Sequence, residues 1–265
     1  MKKIIVFTLV FVALAVSCNF NVLTWTNSDN ADTIQIKRYD RVQSRYLTTG
    51  DFAALQEMNT IYTKETRALI EDVVKLGSVA DDNINKHLLE FFRDSTLQNV
   101  IFAAESEFAD ISDLNDELRS AFTILQDQFP GLKVPKFYAQ ISAFNESIIV
   151  DDNDVGISLD KYLGSDYPAY LRFYDAEQRK TMTRRYIVPD CIVFYLWSVY
   201  TPQNLNGISQ YERDMQIAKF MWIADFVTKK HIFDTPYTDK VGADMRKHPR
   251  TTLAELLEIN DFDQF

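Results

Sequence analysis

The chain is poor in the residues that most often carry metal and redox chemistry. Its 265 residues include two cysteines, three histidines and seven glycines, and 28 Lys and Arg residues are outnumbered by 38 Asp and Glu residues. Two cysteines exclude a disulfide-rich scaffold and a cysteine-based zinc ribbon. The formal net charge of −10 argues against nucleic-acid binding, because the chain has no basic surplus to neutralise phosphates.

Motifs that define common active sites are also missing from the sequence. The chain contains no Gly-x-Ser-x-Gly elbow, no phosphate-binding Gly-x-x-x-x-Gly-Lys loop and no Gly-x-Gly-x-x-Gly turn. Its histidines are at least 17 positions apart, whereas a zinc hydrolase helix needs two that are four positions apart. The acidic segment 151–156 fails as a calcium loop because Val155 and Tyr162 occupy ligand positions. We therefore predict no catalytic residue, no metal and no cofactor.

The N-terminus has the pattern of a bacterial lipoprotein signal peptide. A short basic start precedes an apolar run from Ile4 to Val16, which is too short to span a membrane but typical of a signal-peptide core. The tetrapeptide Ala15-Val16-Ser17-Cys18 resembles the lipobox, in which the cysteine is acylated and becomes the new N-terminus. We predict a signal peptide over residues 1–17, lipidation at Cys18, and a polar tether that ends at residue 32.

Lipidation would determine how the protein meets the membrane. Each buried CH₂ contributes about 0.8 kcal/mol, so two or three acyl chains anchor a protein stably without a spanning helix. No acidic run follows Asn19, which by analogy with lipoprotein sorting favours an outer-membrane anchor that faces the periplasm. Because the chain is acidic, we expect its body to stand away from anionic lipid headgroups.

Hydrophobic periodicity predicts one mostly helical α+β domain over residues 33–265. The clearest helix covers residues 110–129, where apolar residues recur every three or four positions. Cys191 falls in an apolar helix and is predicted to be a small buried hydrophobic residue. Further helices are predicted to begin at Asp51 and Asp81 and to cover 69–77, 189–200, 209–230 and 253–259. In the helix over 209–230, the predicted buried stripe is Met215, Ala218, Trp222 and Phe226. Alternating residues predict one small sheet from 34–37 and 134–159.

One region is richer in tyrosine and charged residues than a core requires. It covers residues 158–170 and continues at 184–190. Tyrosine and arginine are enriched where proteins bind each other. The candidate interaction residues are therefore Asp160, Tyr162, Tyr167, Tyr170, Arg185 and Asp190. The alternative is a loop that packs its tyrosines over the edge of the sheet, with Asp–Arg pairs, and the residues alone leave both interpretations open.

Three segments resemble the gliding-motility lipoprotein GldB family of Bacteroidetes. They are Ile36-Lys37-Arg38-Tyr39-Asp40, Ser158-Leu159-Asp160-Lys161-Tyr162-Leu163-Gly164 with Pro168, and Tyr186-Ile187-Val188-Pro189-Asp190. The resemblance implies a zincin-like layout in which the helix from Val188 to Tyr200 takes the place of the metalloprotease active-site helix. That helix carries apolar residues where a protease has His-Glu-x-x-His, so the resemblance implies a relative without catalysis.

The resemblance also implies a function and a set of partners. The protein would be a periplasm-facing accessory or scaffold subunit of a cell-envelope machine for gliding motility or type IX secretion. Its partners would be other envelope proteins and, through the lipid alone, the membrane. A peptide- or glycan-binding lipoprotein that uses segment 158–170, and a hydrolase with an unrecognised site, are the alternatives.

Overall fold

The computed structural model describes residues 30–200 and 207–262. The predicted signal peptide, Cys18 and most of the predicted tether lie outside the described residues. Helices surround one three-stranded sheet, which confirms the predicted α+β class. The zincin-like layout stays a prediction.

Twelve α-helices lie in the described part of the chain. In order they are α1 (Tyr39–Thr49), α2 (Phe52–Thr60), α3 (Thr63–Arg67), α4 (Ile84–Phe92), α5 (Ser95–Glu107), α6 (Ser112–Gln128), α7 (Tyr170–Phe173), α8 (Ala176–Thr181), α9 (Ile187–Tyr200), α10 (Gln210–Thr228), α11 (Pro236–Lys247) and α12 (Leu253–Glu258). Short 3₁₀ helices occur at Ala31–Thr33, Leu159–Lys161 and Arg184–Tyr186, and a π-helix follows α3 at Ala68–Val73.

The sheet has the strand order β1-β3-β2. Strand β1 (Lys136–Gln140) runs parallel to β3 (Asp154–Ser158), and β2 (Ile148–Asp151) pairs antiparallel with β3. A two-residue turn joins β2 to β3, and its first residue, Asp152, has a φ of 52°. The acidic segment thus closes a hairpin.

The two faces of the sheet differ in polarity. Phe137 projects from the apolar face and meets Phe122 of α6 edge to face, with ring centroids 5.5 Å apart. On the opposite face, Tyr138 lies across β3 over Gly156, where an added Cβ would be 2.5 Å from the phenol ring. Gln43 of α1 extends β1 beyond its end, because its side-chain amide exchanges two hydrogen bonds with the main chain of Ile141.

The first described residues run antiparallel to α6. The main-chain N–H of Ala31 donates to Gln126 near the C-terminal end of α6, and that of Ile36 donates to Asn115 near its N-terminal end. Lys37 then forms an isolated parallel bridge with Tyr138 of β1. The predicted strand at 34–37 is therefore wrong except for this bridge, because side chains of α6 bond to its main chain. Ala31 is buried, so the packed domain includes residues that the sequence assigns to the tether.

Other differences from prediction arise in the C-terminal third. Of the stripe predicted for α10, Met215 and Ala218 are buried, but Phe226 is 50% exposed. The reason is that α10 packs against α9 on one side and α11 on another, so its buried residues surround the helix instead of forming one stripe. Helix α11 is not predicted, because its sequence is polar.

Candidate functional site

Five of the six predicted interaction residues connect to one another after the carboxyl end of β3, but most of them face inward. Asp160, Tyr162 and Tyr170 are buried, whereas Tyr167 and Asp190 are half-buried and Arg185 is exposed. The prediction that the first three form a surface is therefore wrong. They contribute to the interior, as the alternative interpretation of a tyrosine-packed loop requires.

Asp160 is a buried carboxylate held by the loop that follows β1. The main-chain N–H of Ser142 donates to Oδ1 at 2.8 Å, and that of Phe144 donates to Oδ2 at 2.7 Å. The Ser142 hydroxyl lies 3.2 Å from both oxygens. Ala143 and Phe144 have φ values of 55° and 65°, and this left-handed turn makes the N–H groups converge on an anion. Burial nevertheless raises the pKa of Asp160 above its usual range.

Tyr170 fastens α7 to this loop. Its hydroxyl donates to the main-chain carbonyl of Asp160 at 2.5 Å and accepts from the N–H of Leu163 at 3.1 Å. Its ring packs edge to face against Phe144, with centroids 5.8 Å apart, and against two further tyrosines, Tyr167 and Tyr174. Tyr170 therefore links the carboxylate loop and three aromatic rings into a single cluster.

Lys161 adds a second connection to the same loop. Its amine donates to the carbonyl of Phe144 at 3.1 Å and to the Tyr174 hydroxyl at 3.0 Å. The Tyr174 hydroxyl also donates to the Phe144 carbonyl at 2.9 Å. Both ends of α7 are thus tied to the residues that enclose Asp160.

The outer side of α7 carries exposed apolar residues. Leu171 and Phe173 are each 57% exposed, and Arg172 lies exposed between them. The guanidinium of Arg172 is 5.5 Å from the centroid of the Phe173 ring, and Phe173 rests on Phe144 at 6.1 Å. We call Leu171, Arg172 and Phe173 the α7 patch. Sequence reasoning selected the polar residues before it, although two large apolar residues around an arginine were a visible signal.

A second hydrogen bond joins the tyrosine-rich segment to α9. The Tyr162 hydroxyl donates to Asp190 Oδ2 at 2.8 Å. Burial raises the pKa of Asp190 to about 7. The adjacent Cys191 is fully buried, as predicted, and burial raises the pKa of its thiol well above the usual range. A thiol of that kind packs as a hydrophobic group and is a poor nucleophile.

The two arginines before α9 differ in role. Arg184 forms a bidentate pair with Asp113 of α6, at 2.6 and 3.0 Å, and donates to the carbonyls of Glu107 and Asp110. Arg185 is exposed, with its guanidinium 5.8 Å from the centroid of the Tyr186 ring. Among the predicted residues, Arg185 is the one that the structure places fully on the surface.

An open pocket of about 230 Å³ lies between α10 and α11. Two of its lining residues contact segment 184–190, since Lys230 donates to the carbonyl of Arg185 and Phe233 packs on Tyr186. Trp222 and Phe226 stack on one wall, with centroids 5.5 Å apart and an interplanar angle of 17°. Gly242 brings α11 close to this wall, because an added Cβ would be 3.1 Å from the Trp222 indole nitrogen. Arg246 and His231 are exposed at the rim.

Neither a metal-ligand cluster nor a spanning segment is found in residues 30–200 and 207–262. No group of three His, Cys, Asp or Glu side chains converges there. None of the helices in these ranges combines the length and apolar character needed to cross a bilayer.

The architecture is that of a helical α+β domain whose buried carboxylates hold the loops around one sheet. A family model described as gliding motility protein GldB matches residues 24–235. The chain therefore belongs to the GldB family, which confirms the resemblance of its motifs. No curated protein and no solved structure matches the chain significantly.

Proposed function

We infer that the protein is a periplasm-facing lipoprotein that serves the gliding apparatus as a non-catalytic accessory subunit. Family membership supports a role in gliding motility. The observation that carries the accessory role is the use of the motif residues. Asp160 and Tyr170 hold α7, whose outer side is exposed, and Tyr162 bonds to Asp190 of α9.

The geometry of the carboxylates supports a structural role. A general acid or base must come within hydrogen-bond reach of its substrate. Both oxygens of Asp160 accept bonds from the protein, and the residue is buried. Asp190 already accepts a bond from Tyr162. These groups position loops and leave recognition to the surface that the loops carry.

Deletion of the gene tests the role in motility. In the source bacterium we expect the deletion to abolish surface spreading and single-cell gliding, and a plasmid copy of the full chain to restore both. A deletion strain that glides at the parental rate would contradict the proposed function.

Replacement of Cys18 tests the anchor. The Cys18→Ala chain should leave the membrane fraction and fail to restore gliding. Because Cys18 precedes the described domain, the thermal melting temperature should be unchanged. The matched control is Cys191→Ala, which should stay in the membrane fraction. An undiminished membrane fraction for Cys18→Ala would refute the lipoprotein assignment.

The pocket between α10 and α11 supports a second candidate, the binding of a glycan or peptide. A stacked aromatic wall with an arginine at its rim offers a flat apolar surface beside a hydrogen-bond donor. Calorimetric titration of the protein with peptidoglycan fragments and with short peptides tests this candidate. Binding that is lost in Trp222→Ala and kept in Trp197→Phe would support it, and no measurable heat with either ligand class would reject it.

A further inference from the structure

The domain has two distinct ends along the axis of β1. The chain enters at Ala31, beside the C-terminal part of α6, and runs antiparallel to α6 until Lys37 meets the middle of β1. The α7 patch lies past the other end of β1, since Phe173 packs on Phe144 in the loop that follows this strand. The entry point and the α7 patch are therefore at opposite ends of the sheet.

This arrangement decides which way the α7 patch faces, provided that the proposed function and its anchor at Cys18 hold. Thirteen residues run from Cys18 to Asn30, and a flexible chain of that length has a root-mean-square span of about 20 Å. A domain of this size is about 45 Å across. The tether thus keeps the entry end close to the bilayer and leaves the α7 patch on the membrane-distal side.

The composition of the α7 patch is that of a protein-binding surface. Exposed leucine and phenylalanine side chains flank an arginine, and phenylalanine and arginine are both enriched at protein interfaces. Residues 161–180 contain four basic and three acidic residues, in a chain whose net charge is −10. The segment that carries the patch therefore has a small positive formal charge, and Arg172 is the charged residue on the patch itself.

The α7 patch is also held rigidly before any partner binds. Tyr170 and Tyr174, at the start and just after the end of α7, bond to the main chain around Asp160. A surface that is fixed in advance loses little conformational entropy on association, which favours binding through a small contact area.

We propose that the α7 patch docks into an apolar pocket with an acidic rim on a second envelope protein, located deeper in the periplasm than the anchoring membrane. The membrane itself is disfavoured as the occupant because the patch faces away from it. A second copy of the chain is disfavoured because a two-fold interface would place Arg172 against the Arg172 of the other copy.

In-cell photo-cross-linking of the full-length lipoprotein tests this proposal. A photoreactive benzoyl-phenylalanine is placed at Leu171, and at Phe52 of α2 as a control, since Phe52 is 69% exposed on another element. We expect one protein adduct of defined mass from position 171 and none of that mass from position 52. Mass spectrometry should locate the link in a partner peptide that contains Asp or Glu.

Charge variants sharpen the result. Arg172→Glu should lower the yield of the adduct at least tenfold, which corresponds to about 1.4 kcal/mol, and Arg172→Lys should retain most of it. The proposal would be overturned by a cross-link to lipid or to a second copy of the chain. It would also be overturned by equal adducts from positions 171 and 52, or by an adduct yield that Arg172→Glu leaves unchanged.

Motility separates the failure of this proposal from that of the proposed function. The double variant Leu171→Ser, Phe173→Ser is introduced into the deletion strain. If it restores gliding to the same rate as the wild-type chain, the docking proposal fails and the accessory role stands. If the deletion strain itself glides normally, the proposed function fails. Loss of gliding by the double variant at a normal level in the membrane fraction supports both.

Discussion

Two buried charges of opposite sign, Asp160 and Lys219, are held by main-chain groups instead of counter-ions. Asp160 accepts from the N–H groups of Ser142 and Phe144. Lys219 of α10 donates to the carbonyls of Leu257 and Ile259, at 3.0 and 2.7 Å, at the end of α12. Both satisfy the rule that a buried charge needs hydrogen-bond partners.

The two charges differ in what they hold together. Asp160 joins the ends of the parallel strands β1 and β3 and supports α7, inside the range matched by the family model. Lys219 holds the segment after α12, which lies beyond that range, and its amine is 5.3 Å from the centroid of the Phe262 ring. Loss of the first charge should therefore destabilise the whole domain, and loss of the second should release the C-terminal segment.

The largest effect is expected from Asp160→Ala. The substitution leaves two buried N–H groups without acceptors, so the free energy of unfolding should fall by about 3–5 kcal/mol. Urea denaturation followed by circular dichroism measures this change. Asp160→Asn keeps one acceptor oxygen, so it should lower the free energy of unfolding by less than Asp160→Ala does. If Asp160→Ala costs no more than Lys219→Met, the contrast between a global and a local role is incorrect.

Next in size is the effect of Asp190 on pH dependence. Its pKa is about 7 in the folded protein, against an ordinary value of 3.8. Between these values the folded protein keeps a proton that the unfolded chain has released. The contribution of Asp190 to the free energy of unfolding is therefore fully present below pH 3.8. It is lost as the pH rises through 7, which lowers the free energy of unfolding by about 2–4 kcal/mol.

Asp190→Asn should remove this dependence, so that the free energy of unfolding varies less between pH 4 and 8 than in the wild-type protein. Urea titrations at several pH values measure it. Tyr162→Phe is the matched control, because the Tyr162 hydrogen bond lowers the pKa of Asp190 and its loss should steepen the dependence. Equal slopes for wild type and Asp190→Asn would contradict this assignment.

A smaller effect is expected at Lys219. Burial lowers the pKa of its amine to about 8, from an ordinary value of 10.5. The unfolded chain binds the additional proton between these values, so stability should rise with pH from 8 to 10.5. Lys219→Met removes both the cation and its two bonds, and should cost about 1–2 kcal/mol because the desolvation cost of the cation is also removed.

The contrast with Asp160 predicts a local consequence. In Lys219→Met, limited proteolysis should cut after α12 while the remainder of the domain stays resistant. Gln216→Ala, which removes one hydrogen bond to Asn260 from the same segment, is a milder comparison. Proteolysis spread evenly over the chain would show that Lys219 supports the whole domain.

Sequence patterns predict the elements of the molecule better than the roles of its polar residues. The helix predicted over 110–129 is observed as Ser112–Gln128, because its apolar residues follow one stripe. Helix α10 begins where predicted, at the Ser209 cap. The segment 34–37 alternates like a strand, yet α6 takes its hydrogen bonds, which is a tertiary effect that local periodicity does not contain.

The candidate site shows the same division. The motif begins where the predicted sheet region ends, so its position after a strand follows from the sequence. The inward direction of Asp160 depends on two left-handed residues, Ala143 and Phe144. Neither is glycine, so the sequence carries no signal of that turn. The exposed surface is consequently formed by Leu171 and Phe173, which neighbour the predicted tyrosines in the sequence, and not by those tyrosines.

The smallest effect on stability is expected in the α7 patch itself. Leu171 and Phe173 are 57% exposed, so Leu171→Ser with Phe173→Ser should change the free energy of unfolding by no more than about 0.5–1 kcal/mol. Tyr170, one position away, is buried and holds the patch, so Tyr170→Phe should cost more, because its hydroxyl bonds to Asp160 and Leu163. Thermal melting of both variants measures the difference. If the patch variant is the less stable of the two, Leu171 and Phe173 belong to the structural cluster and not to a surface kept free for a partner.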